Sequence, residues 1–377
     1  MMIRILQIGM SDNIGGIETF IINNYRKLDK KRFQFDFVNM YDNPLCFEDE
    51  ILSLGGKIYN VKSEKKHPLS FSKSLKKIIM ENNYRIVHIH KNSLAFIASV
   101  KTAKKCGAKV IIHSHNTKST KPNFIINTIH TINKKRLNRM GDLFYGCSIQ
   151  AAKWMFNKKI LNSNRFQVFN NSIDINRFKY DKSIRDKKRK ELNIKDTDIV
   201  IGHIGRFIEQ KNHDFLIDIF NEINKINSET KLVLIGDGEL FEKINIKVKN
   251  LKLENNVLFL KKRLDVNELY QAFDIFLLPS LYEGLPIVGV EAQCSGLQCF
   301  FSENVTKEVL LLKNSKMLNL NLNSKKWAEL ILENFDGNSA REEAYIKISK
   351  SGFDIDKEIN KLQTNYEKLL KAVDVNE

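Results

Sequence analysis

Two glutamates separated by seven residues have the types and spacing to hold two different sugar rings. Glu283 and Glu291 lie in the stretch from Pro279 to Gly296, which follows the apolar run from Ile275 to Leu278. A carboxylate accepts two hydrogen bonds, as a vicinal diol offers, so one glutamate suits a ribose and the other a hexose. The alternative that the spacing leaves open is a surface helix carrying two solvated glutamates.

The backbone between these glutamates predicts a phosphate site. An apolar run before turn residues predicts a buried parallel strand, and the periodic segment from Pro286 to Gln293 predicts a helix with proline in its first turn. The first amides of a helix have no partner within it and lie at its positive end. The N–H groups from Gly284 through Leu285 to Ile287 can therefore bind a phosphate or diphosphate.

A second motif, which contains two cationic side chains, follows another apolar run. Gly205, Arg206 and Lys211 come after the predicted strand from Ile199 to Ile204 and before a predicted helix. An arginine binds a diphosphate through a two-pronged contact, and a lysine binds it as a point charge. Two solvated surface cations are the alternative interpretation.

Histidines end a strand in the first half of the chain. The segment His113-Ser-His115-Asn116 follows a predicted strand, and a neutral histidine offers one donor and one acceptor to a sugar hydroxyl. Lone histidines are more often structural, and His88 and His90 lie in the same half. A metal site at His113 and His115 is not expected, because no carboxylate cluster accompanies them.

A glycine-bearing loop follows the first predicted strand. Gly15 and Gly16 precede a helix that begins near Glu18, and adjacent glycines let a backbone approach an anionic ligand closely. The loop lacks the spacing of a nucleotide fingerprint, so a simple tight turn explains it equally well.

The elements that must position these residues alternate between strands and helices. Such alternation is typical of parallel sheets with crossover helices, and it restarts after a charged stretch from Lys179 to Asp198. Two doubly wound domains follow, with a linker near residues 176–185 and a site expected in the cleft between their sheets. The predicted strands are 3–8, 33–39, 57–61, 86–90, 109–113, 143–146, 166–169, 199–204, 231–235, 257–260, 275–278 and 298–301.

Composition bounds the class of protein. The 377 residues are 42% hydrophobic, which allows two domains with substantial cores. No apolar run approaches the ~20 residues of a membrane span, and the N-terminus does not have the pattern of a signal peptide. Five dispersed cysteines suit a reducing cytoplasm rather than a disulfide framework or a zinc site. A net charge of +17 indicates attraction to an anionic partner: nucleic acid, phosphate or an acidic membrane.

One stretch combines basic and apolar residues. Between Lys118 and Met140 the chain interleaves five cations with phenylalanine and isoleucine, a pattern that suits the surface of an anionic membrane. We favour instead a helix whose apolar side packs on the first sheet and whose charged side is solvated. The cations are Lys121, Lys134, Lys135, Arg136 and Arg139.

Together these motifs resemble glycosyltransferase family 4, whose members have the GT-B fold. The run Ser280-Leu-Tyr-Glu-Gly-Leu-Pro286 with Glu291 is similar to the family's E-x7-E signature. Gly205 with Arg206 and Lys211 resembles its G-R and lysine elements, and Gly15-Gly16 resembles its G-G-x-E loop. The combination is most similar to bacterial members that build capsular polysaccharide and exopolysaccharide.

The resemblance implies a cytoplasmic, metal-independent enzyme that transfers a hexose from a nucleoside diphosphate sugar, with retention of configuration. It implies catalytic roles for His115, Arg206, Lys211 and Glu283, with His113 as the alternate histidine. It implies no cofactor besides the donor, expected to be a uridine diphosphate (UDP) sugar, and a saccharide or lipid-linked acceptor. The donor-binding residues that it implies are Gly15, Gly16, Gly205, Gly284, Leu285, Pro286 and Glu291.

The resemblance also implies three segments. Residues 1–178 are expected to bind the acceptor, residues 179–353 are expected to bind the nucleotide sugar, and residues 354–377 are expected to form a helix that crosses back to the first domain. An ordinary packing helix of the second domain fits the same apolar spacing. One departure concerns the base: Phe259-Leu-Lys261 stands where the family usually has F-x-G.

Other functions remain open at this stage. A GT-B epimerase or phosphorylase would use a related sugar substrate, and a non-catalytic sugar-nucleotide sensor would use the same site. A basic nucleic-acid-binding protein is the alternative from another class, although no nucleic-acid motif is present and no nucleic-acid partner is expected.

Overall fold

The chain divides into two compact units in a computed structural model that describes residues 2–116, 124–337 and 341–374, with side chains as far as residue 371. Unit 1 comprises Met1–Ser172 and Ile355–Glu377, and unit 2 comprises Ile173–Asp354. No helix in these described ranges combines the length and the apolarity that crossing a bilayer requires.

Unit 1 is built on one seven-stranded sheet in which every pairing is parallel. Its strands are β1 (Ile3–Ile8), β2 (Phe33–Asn39), β3 (Ile58–Asn60), β4 (Ile86–Lys91), β5 (Lys109–Ser114), β6 (Leu143–Gly146) and β7 (Phe166–Val168). The order across the sheet is β3-β2-β1-β4-β5-β6-β7, so β1, β4 and β5 are neighbours at its centre. Most residues of these central strands are buried, including the polar Gln7, His88 and His113, because helices cover both faces of the sheet.

In the part of the chain that the structure describes, eight α-helices surround this sheet. They are α1 (Gly16–Lys27), α2 (Glu48–Ser53), α3 (Pro68–Glu81), α4 (Ala98–Lys105), α5 (Phe124–Arg136), α6 (Ile149–Met155), α7 (Lys158–Leu161) and the C-terminal helix, numbered α16 in chain order (Ile355–Asp374). One apolar stripe of α16, containing Ile359, Leu362 and Tyr366, is buried in the same core as β1 and β2. The sequence left two places open for this helix, and in the structure it packs in unit 1.

Helix α5 differs from the packing that the sequence favoured. His130 is the buried residue of α5, whereas Phe124, Ile125, Ile129 and Ile132 are 87%, 68%, 39% and 45% exposed. The expectation of an apolar side facing the sheet is therefore wrong. The helix contacts the unit through the side that carries His130, whose ring stacks on Trp154 and accepts a hydrogen bond from the Leu94 amide. Lys118 and Lys121 of the basic stretch lie outside the described residues.

Unit 2 is built on a six-stranded parallel sheet with the order β10-β9-β8-β11-β12-β13. Its strands are β8 (Ile199–Ile204), β9 (Thr230–Ile235), β10 (Val257–Phe259), β11 (Ile275–Leu278), β12 (Gln298–Ser302) and β13 (Lys316–Leu318). Its helices are α8 (Ile175–Phe178), α9 (Lys182–Glu191), α10 (His213–Ile226), α11 (Phe241–Asn250), α12 (Val266–Ala272), α13 (Ile287–Cys294), α14 (Ser324–Asn334) and α15 (Ala344–Lys350). The prediction of two doubly wound parallel sheets is confirmed.

Two details differ from the sequence-based description of this unit. The division falls between residues 172 and 173 rather than after residue 178, because Ile175 and Phe178 of α8 are buried in the core of unit 2. Strand β13 was not predicted. It is a three-residue strand at the edge of the sheet that pairs with β12, and so short a run carries little pattern of its own.

Candidate active site

The loop after β11 carries the first predicted motif at the end of a fully buried strand. The chain leaves β11 at Leu278 and α13 begins at Ile287, one residue later than predicted. Pro286 occupies the N-cap position with an extended backbone, at φ −76° and ψ 109°. Among the described residues, the amides of Gly284, Leu285 and Ile287 meet no hydrogen-bond acceptor. These N–H groups are therefore available to an anion.

Backbone contacts hold this loop against the loop that follows β8. The amide of Leu281 donates to the carbonyl of Gln210 at 2.8 Å, and the Gln210 side chain donates to the carbonyl of Tyr282 at 3.0 Å. Asn212 donates to the carbonyl of Pro279 at 3.1 Å. Since β8 and β11 are neighbours in the sheet, the two predicted motifs converge at one edge.

Lys211 and Glu283 form an ion pair across these two loops. The Nζ of Lys211 lies 2.6 Å from Oε1 of Glu283, and the side chains are 15% and 11% exposed. The Ser280 hydroxyl donates to the same carboxylate oxygen at 3.2 Å. An ammonium has three donors, so Lys211 keeps donors for a second anion while Glu283 holds it in place.

Arg206 lies exposed in the loop after β8. Within the described ranges its guanidinium meets no hydrogen-bond or ion-pair partner. Gly236, directly after β9, has a φ of +141° and lies against the loop after β8. A Cβ at Gly236 would lie 2.0 Å from the Gly205 carbonyl oxygen. Gly205 itself leaves room for the Lys211 side chain, whose Cδ would lie 3.2 Å from an added Cβ. The glycines thus let two loops meet at the backbone beside both cations.

Glu291 lies on α13 in a half-buried position. Its Oε2 accepts a hydrogen bond from the Tyr270 hydroxyl at 3.0 Å. Burial raises the pKa of Glu291 to about 7, and the hydrogen bond from Tyr270 only partly opposes this rise. At neutral pH the carboxyl is poised between a proton-bearing form and a carboxylate that accepts two hydroxyl donors.

The predicted site residues of the first half lie on unit 1, at the ends of its central strands. His115 follows β5 and is half-buried, whereas His113 lies within β5 and is fully buried. His115 Nε2 lies 2.9 Å from Nδ1 of His90, and His90 Nε2 lies 2.9 Å from Oε1 of Gln7. Burial lowers the pKa of His115 to about 3 and that of His90 well below its usual value. Both rings are therefore neutral at physiological pH.

The histidines also form the group closest to a metal-ligand arrangement in the described chain. His88, His90 and His113 each offer a ring nitrogen, and these atoms lie within 4.8 Å of one another. The rings of His88 and His90 stack at 22°, and those of His88 and His113 at 12°. Nearly parallel rings direct their in-plane lone pairs side by side, whereas a tetrahedral ion needs them to converge. The expectation that no metal takes part stays a prediction.

Gly15 and Gly16 begin α1, with Gly15 at the N-cap. The loop before them is closed by Glu18, which accepts hydrogen bonds from the Ser11 amide at 3.0 Å and the Ser11 hydroxyl at 2.8 Å. Gly9 at the start of this loop has a φ of +122°, and a Cβ there would lie 2.4 Å from the His90 carbonyl oxygen. A larger residue at this position would therefore clash with β4. The close approach at Gly9 brings the loop next to β4.

Sequence reasoning missed the partners of its own candidates. Tyr270 and the pair of Gln7 and His90 contact predicted residues, but they are distant from them in the chain and match no motif. Ser280 belongs to the predicted motif, but no role was predicted for its contact with Glu283. A weak signal existed only for His90, since it repeats the histidine spacing of the next strand.

Two family descriptions match the chain. Residues 14–177 match the family described as Glycosyltransferase Family 4, and residues 184–351 match Glycosyl transferases group 1. The sequence is 35% identical to EpsF of Bacillus subtilis, which is assigned as a glycosyltransferase, over 81% of this chain and 80% of that protein.

Two further relatives carry more specific names. The chain is 24% identical to the UDP-Gal:alpha-D-GlcNAc-diphosphoundecaprenol alpha-1,3-galactosyltransferase of Escherichia coli, over 83% of this chain and 82% of that enzyme. It is also 24% identical to the capsular polysaccharide biosynthesis glycosyltransferase CapH of Staphylococcus aureus, over 88% and 90%.

The solved structures show the same fold. The structure of HepE from Anabaena in complex with UDP and glucose superposes with a TM-score of 0.77 at 17% identity, covering 97% of this chain and 99% of that one. The GT-B architecture that the sequence predicted is thus confirmed.

Proposed function

The chain belongs to the glycosyltransferases of family 4, and from this premise we propose that it transfers a hexose from a UDP-sugar to a saccharide or lipid-linked acceptor, with retention of configuration. Its membership of a family with relatives in bacterial polysaccharide biosynthesis rests on the comparisons. The observation that carries the finer proposal is the convergence of Lys211, Glu283 and the open amides of Gly284 and Leu285 after two neighbouring strands.

The diphosphate is the group that this arrangement suits best. Lys211 is held by Glu283, Arg206 has a free guanidinium among the described residues, and the helix start adds N–H donors. Preorganised donors aimed at developing charge supply the largest single share of catalysis in many enzymes. In this proposal they neutralise the leaving diphosphate, so no metal ion is needed for that step.

The reaction follows from that charge distribution. The bond between the sugar's anomeric carbon and the diphosphate oxygen breaks, and the acceptor oxygen forms the new bond on the same face. The acceptor proton passes to the departing diphosphate. Glu283 is not the nucleophile in this scheme, because it is engaged by Lys211 and Ser280; it contacts the donor sugar instead.

The remaining donor contacts divide between ribose and base. In this proposal Glu291 accepts the two ribose hydroxyls, and its hydrogen bond from Tyr270 supports that role by holding the carboxyl. Where the family usually has a glycine, Lys261 adopts the left-handed φ of +48°, so the backbone shape that glycine favours is present without the glycine. Uridine as the base is supported by the UDP-Gal donor of the Escherichia coli enzyme and by the UDP bound to HepE.

The exposed face of α5 supports contact with an anionic membrane at the inner leaflet. Ile125, Ile129 and Ile132 lie on one side of the helix at i, i+4 and i+7 and are exposed. Lys135 and Arg136 are exposed at the end of the same helix. Near an anionic surface each such cation contributes about 1 kcal/mol, and the apolar side chains insert between headgroups. A lipid-linked acceptor, as named for the Escherichia coli relative, would be presented there.

The donor site is tested by nucleotide-dependent thermal stabilisation. Uridine, guanosine and adenosine diphosphates and their sugars are added to the wild type and to the Lys211→Ala and Glu291→Ala variants. A ligand at about 100 times its dissociation constant adds about 2.7 kcal/mol of stability. The proposal predicts that a uridine ligand stabilises the wild type and that both variants lose the effect.

Two matched controls complete that experiment. Lys187 and Glu254 are exposed residues of the same unit, and their replacement by alanine should leave the response intact. Stabilisation by DNA or RNA alone would contradict the proposal in favour of a nucleic-acid-binding protein. Conversion of the nucleotide sugar without an acceptor would identify an epimerase instead.

Membrane contact is tested separately by vesicle flotation. The wild type should float with vesicles containing phosphatidylglycerol and not with neutral phosphatidylcholine vesicles. Replacing Ile125 and Ile129 by serine should abolish flotation, whereas Leu264→Ser, at a residue that is 92% exposed in unit 2, should not. Equal binding of all three proteins would refute α5 as the docking surface.

A further inference from the structure

Three hydrogen-bonded side chains in a row determine the protonation of the His115 ring. This chain of side chains runs from Gln7 on β1, through His90 on β4, to His115 after β5, and both links are 2.9 Å. Gln7 and His90 are 1% and 3% exposed. The ring of Phe20 on α1 lies 5.9 Å from that of His90 and 5.6 Å from that of His115, so an apolar wall closes the other side.

Each ring in this chain carries one proton. A neutral imidazole has one N–H donor and one lone-pair acceptor, and the side chains of the described residues that contact these two rings include no carboxylate. Burial without a compensating negative charge favours the neutral form, which agrees with the lowered pKa of both rings. The direction of the hydrogen bonds therefore decides which nitrogen of His115 is protonated.

The orientation of Gln7 sets that direction. Its Oε1 lies 2.9 Å from His90 Nε2, and its Nε2 is a buried atom with no hydrogen-bond partner among the described residues. A carbonyl oxygen only accepts, so His90 carries its proton on Nε2 and presents a lone pair at Nδ1. His115 must then donate from its Nε2 to His90.

The consequence appears at the other nitrogen of His115. Its Nδ1 is a buried atom with no hydrogen-bond partner among the described residues. We infer that Gln7 and His90 are positioning residues that hold His115 as the Nε2–H tautomer, so that Nδ1 is an acceptor for a hydroxyl group of the bound sugar rather than a donor to a phosphate oxygen.

The choice of ligand group follows from the tautomer. A protonated Nδ1 would suit a diphosphate oxygen, which only accepts, whereas a lone pair there suits a hydroxyl donor. The identification of that hydroxyl with the sugar rests on the proposed function. The tautomer itself does not, because it is set by residues within unit 1.

The tautomer is measured directly by long-range proton–nitrogen NMR correlation on the full-length, nitrogen-15 histidine-labelled protein without ligand. The His115 and His90 signals are assigned with His115→Gln and His90→Gln variants. The inference predicts a protonated Nε2 and an unprotonated Nδ1 for both rings. A protonated Nδ1 on His115, or two exchanging tautomers in the wild type, would overturn it.

A variant then tests the role of Gln7. Gln7→Met keeps the length of the side chain but removes the acceptor, so the Nε2–H preference of His115 should fall, and the KM for a sugar donor should rise at least several-fold. The affinity for UDP alone should not change, because no sugar hydroxyl is involved. An unchanged tautomer in Gln7→Met would refute the positioning role.

The two proposals fail in different ways. If the NMR signals show the inferred tautomer but no nucleotide sugar binds, the proposed function is wrong and the tautomer assignment stands. If a UDP-sugar binds and transfers while His115 carries its proton on Nδ1, the function stands and this inference is wrong.

Discussion

Replacing Glu291 by glutamine should change how the stability of the protein depends on pH. Glu291 is half-buried, and its burial raises the pKa from 4.5 to about 7. The folded state therefore holds a proton that the unfolded state releases between these values. This contribution to stability is fully present below pH 4.5 and is lost as the pH rises through 7.

The magnitude follows from the size of that shift. Each pKa unit corresponds to 1.36 kcal/mol, so the full effect is about 3 kcal/mol, and about 2 kcal/mol of it falls between pH 5.5 and pH 8. Glutamine has the same shape and cannot ionise, so the Glu291→Gln variant lacks this term. As the pH rises from 5.5 to 8, the free energy of unfolding of Glu291→Gln should therefore increase relative to that of the wild type by up to about 2 kcal/mol.

The assay is urea unfolding of both proteins at pH 5.5, 6.5, 7.5 and 8, followed by a probe that reports on unit 2. Glu254→Gln, at an exposed glutamate of the same unit, is the control and should run parallel to the wild type. A constant difference between Glu291→Gln and the wild type at all four pH values would refute the reasoning. A difference that grows toward acid pH would show that the glutamate is stabilised as a carboxylate.

Three further changes have defined outcomes. Lys211→Ala should lower kcat about 100- to 1000-fold in a sugar-transfer assay, as expected for a lost diphosphate contact. The control variant Lys187→Ala should retain full activity. A change in KM alone for Lys211→Ala would contradict the role of Lys211 in neutralising the diphosphate. His113 is buried, neither of its ring nitrogens has a hydrogen-bond partner among the described residues, and burial lowers its pKa. The wild type should therefore lose about 1.4 kcal/mol of stability from this residue for each pH unit below 6.5. His113→Leu should remove that loss and the exposed His67→Leu should not, as followed by thermal melting from pH 7 to pH 5.5. Lys261 has a left-handed backbone, so Lys261→Gly should be tolerated. Lys261→Val should destabilise unit 2 by about 1 kcal/mol more than Lys262→Val does. Equal melting temperatures for the two valine variants would show that the local strain is absent.

The sequence alone determined the fold class and the positions of most strands. Buried parallel strands are nearly continuous apolar runs, and this signal is local, so β1, β8 and β11 could be predicted from their own residues. The motif residues at the strand ends were found in the same way, because a strand, a turn and a helix start are neighbours in the chain. The resemblance to family 4 glycosyltransferases, built on those motifs, is confirmed.

Only the tertiary structure decided which of these residues meet. Lys211 and Glu283 lie 72 positions apart, and their ion pair exists because β8 and β11 are adjacent in the sheet. The chain from Gln7 to His115 likewise depends on the order β1-β4-β5.

The exposure of α5 also depends on tertiary structure, because amphipathic spacing identifies an apolar side without saying what covers it. Residue spacing encodes local conformation, whereas burial and partnership depend on contacts between segments distant in the chain. For that reason the sequence could name the candidate residues but not their partners.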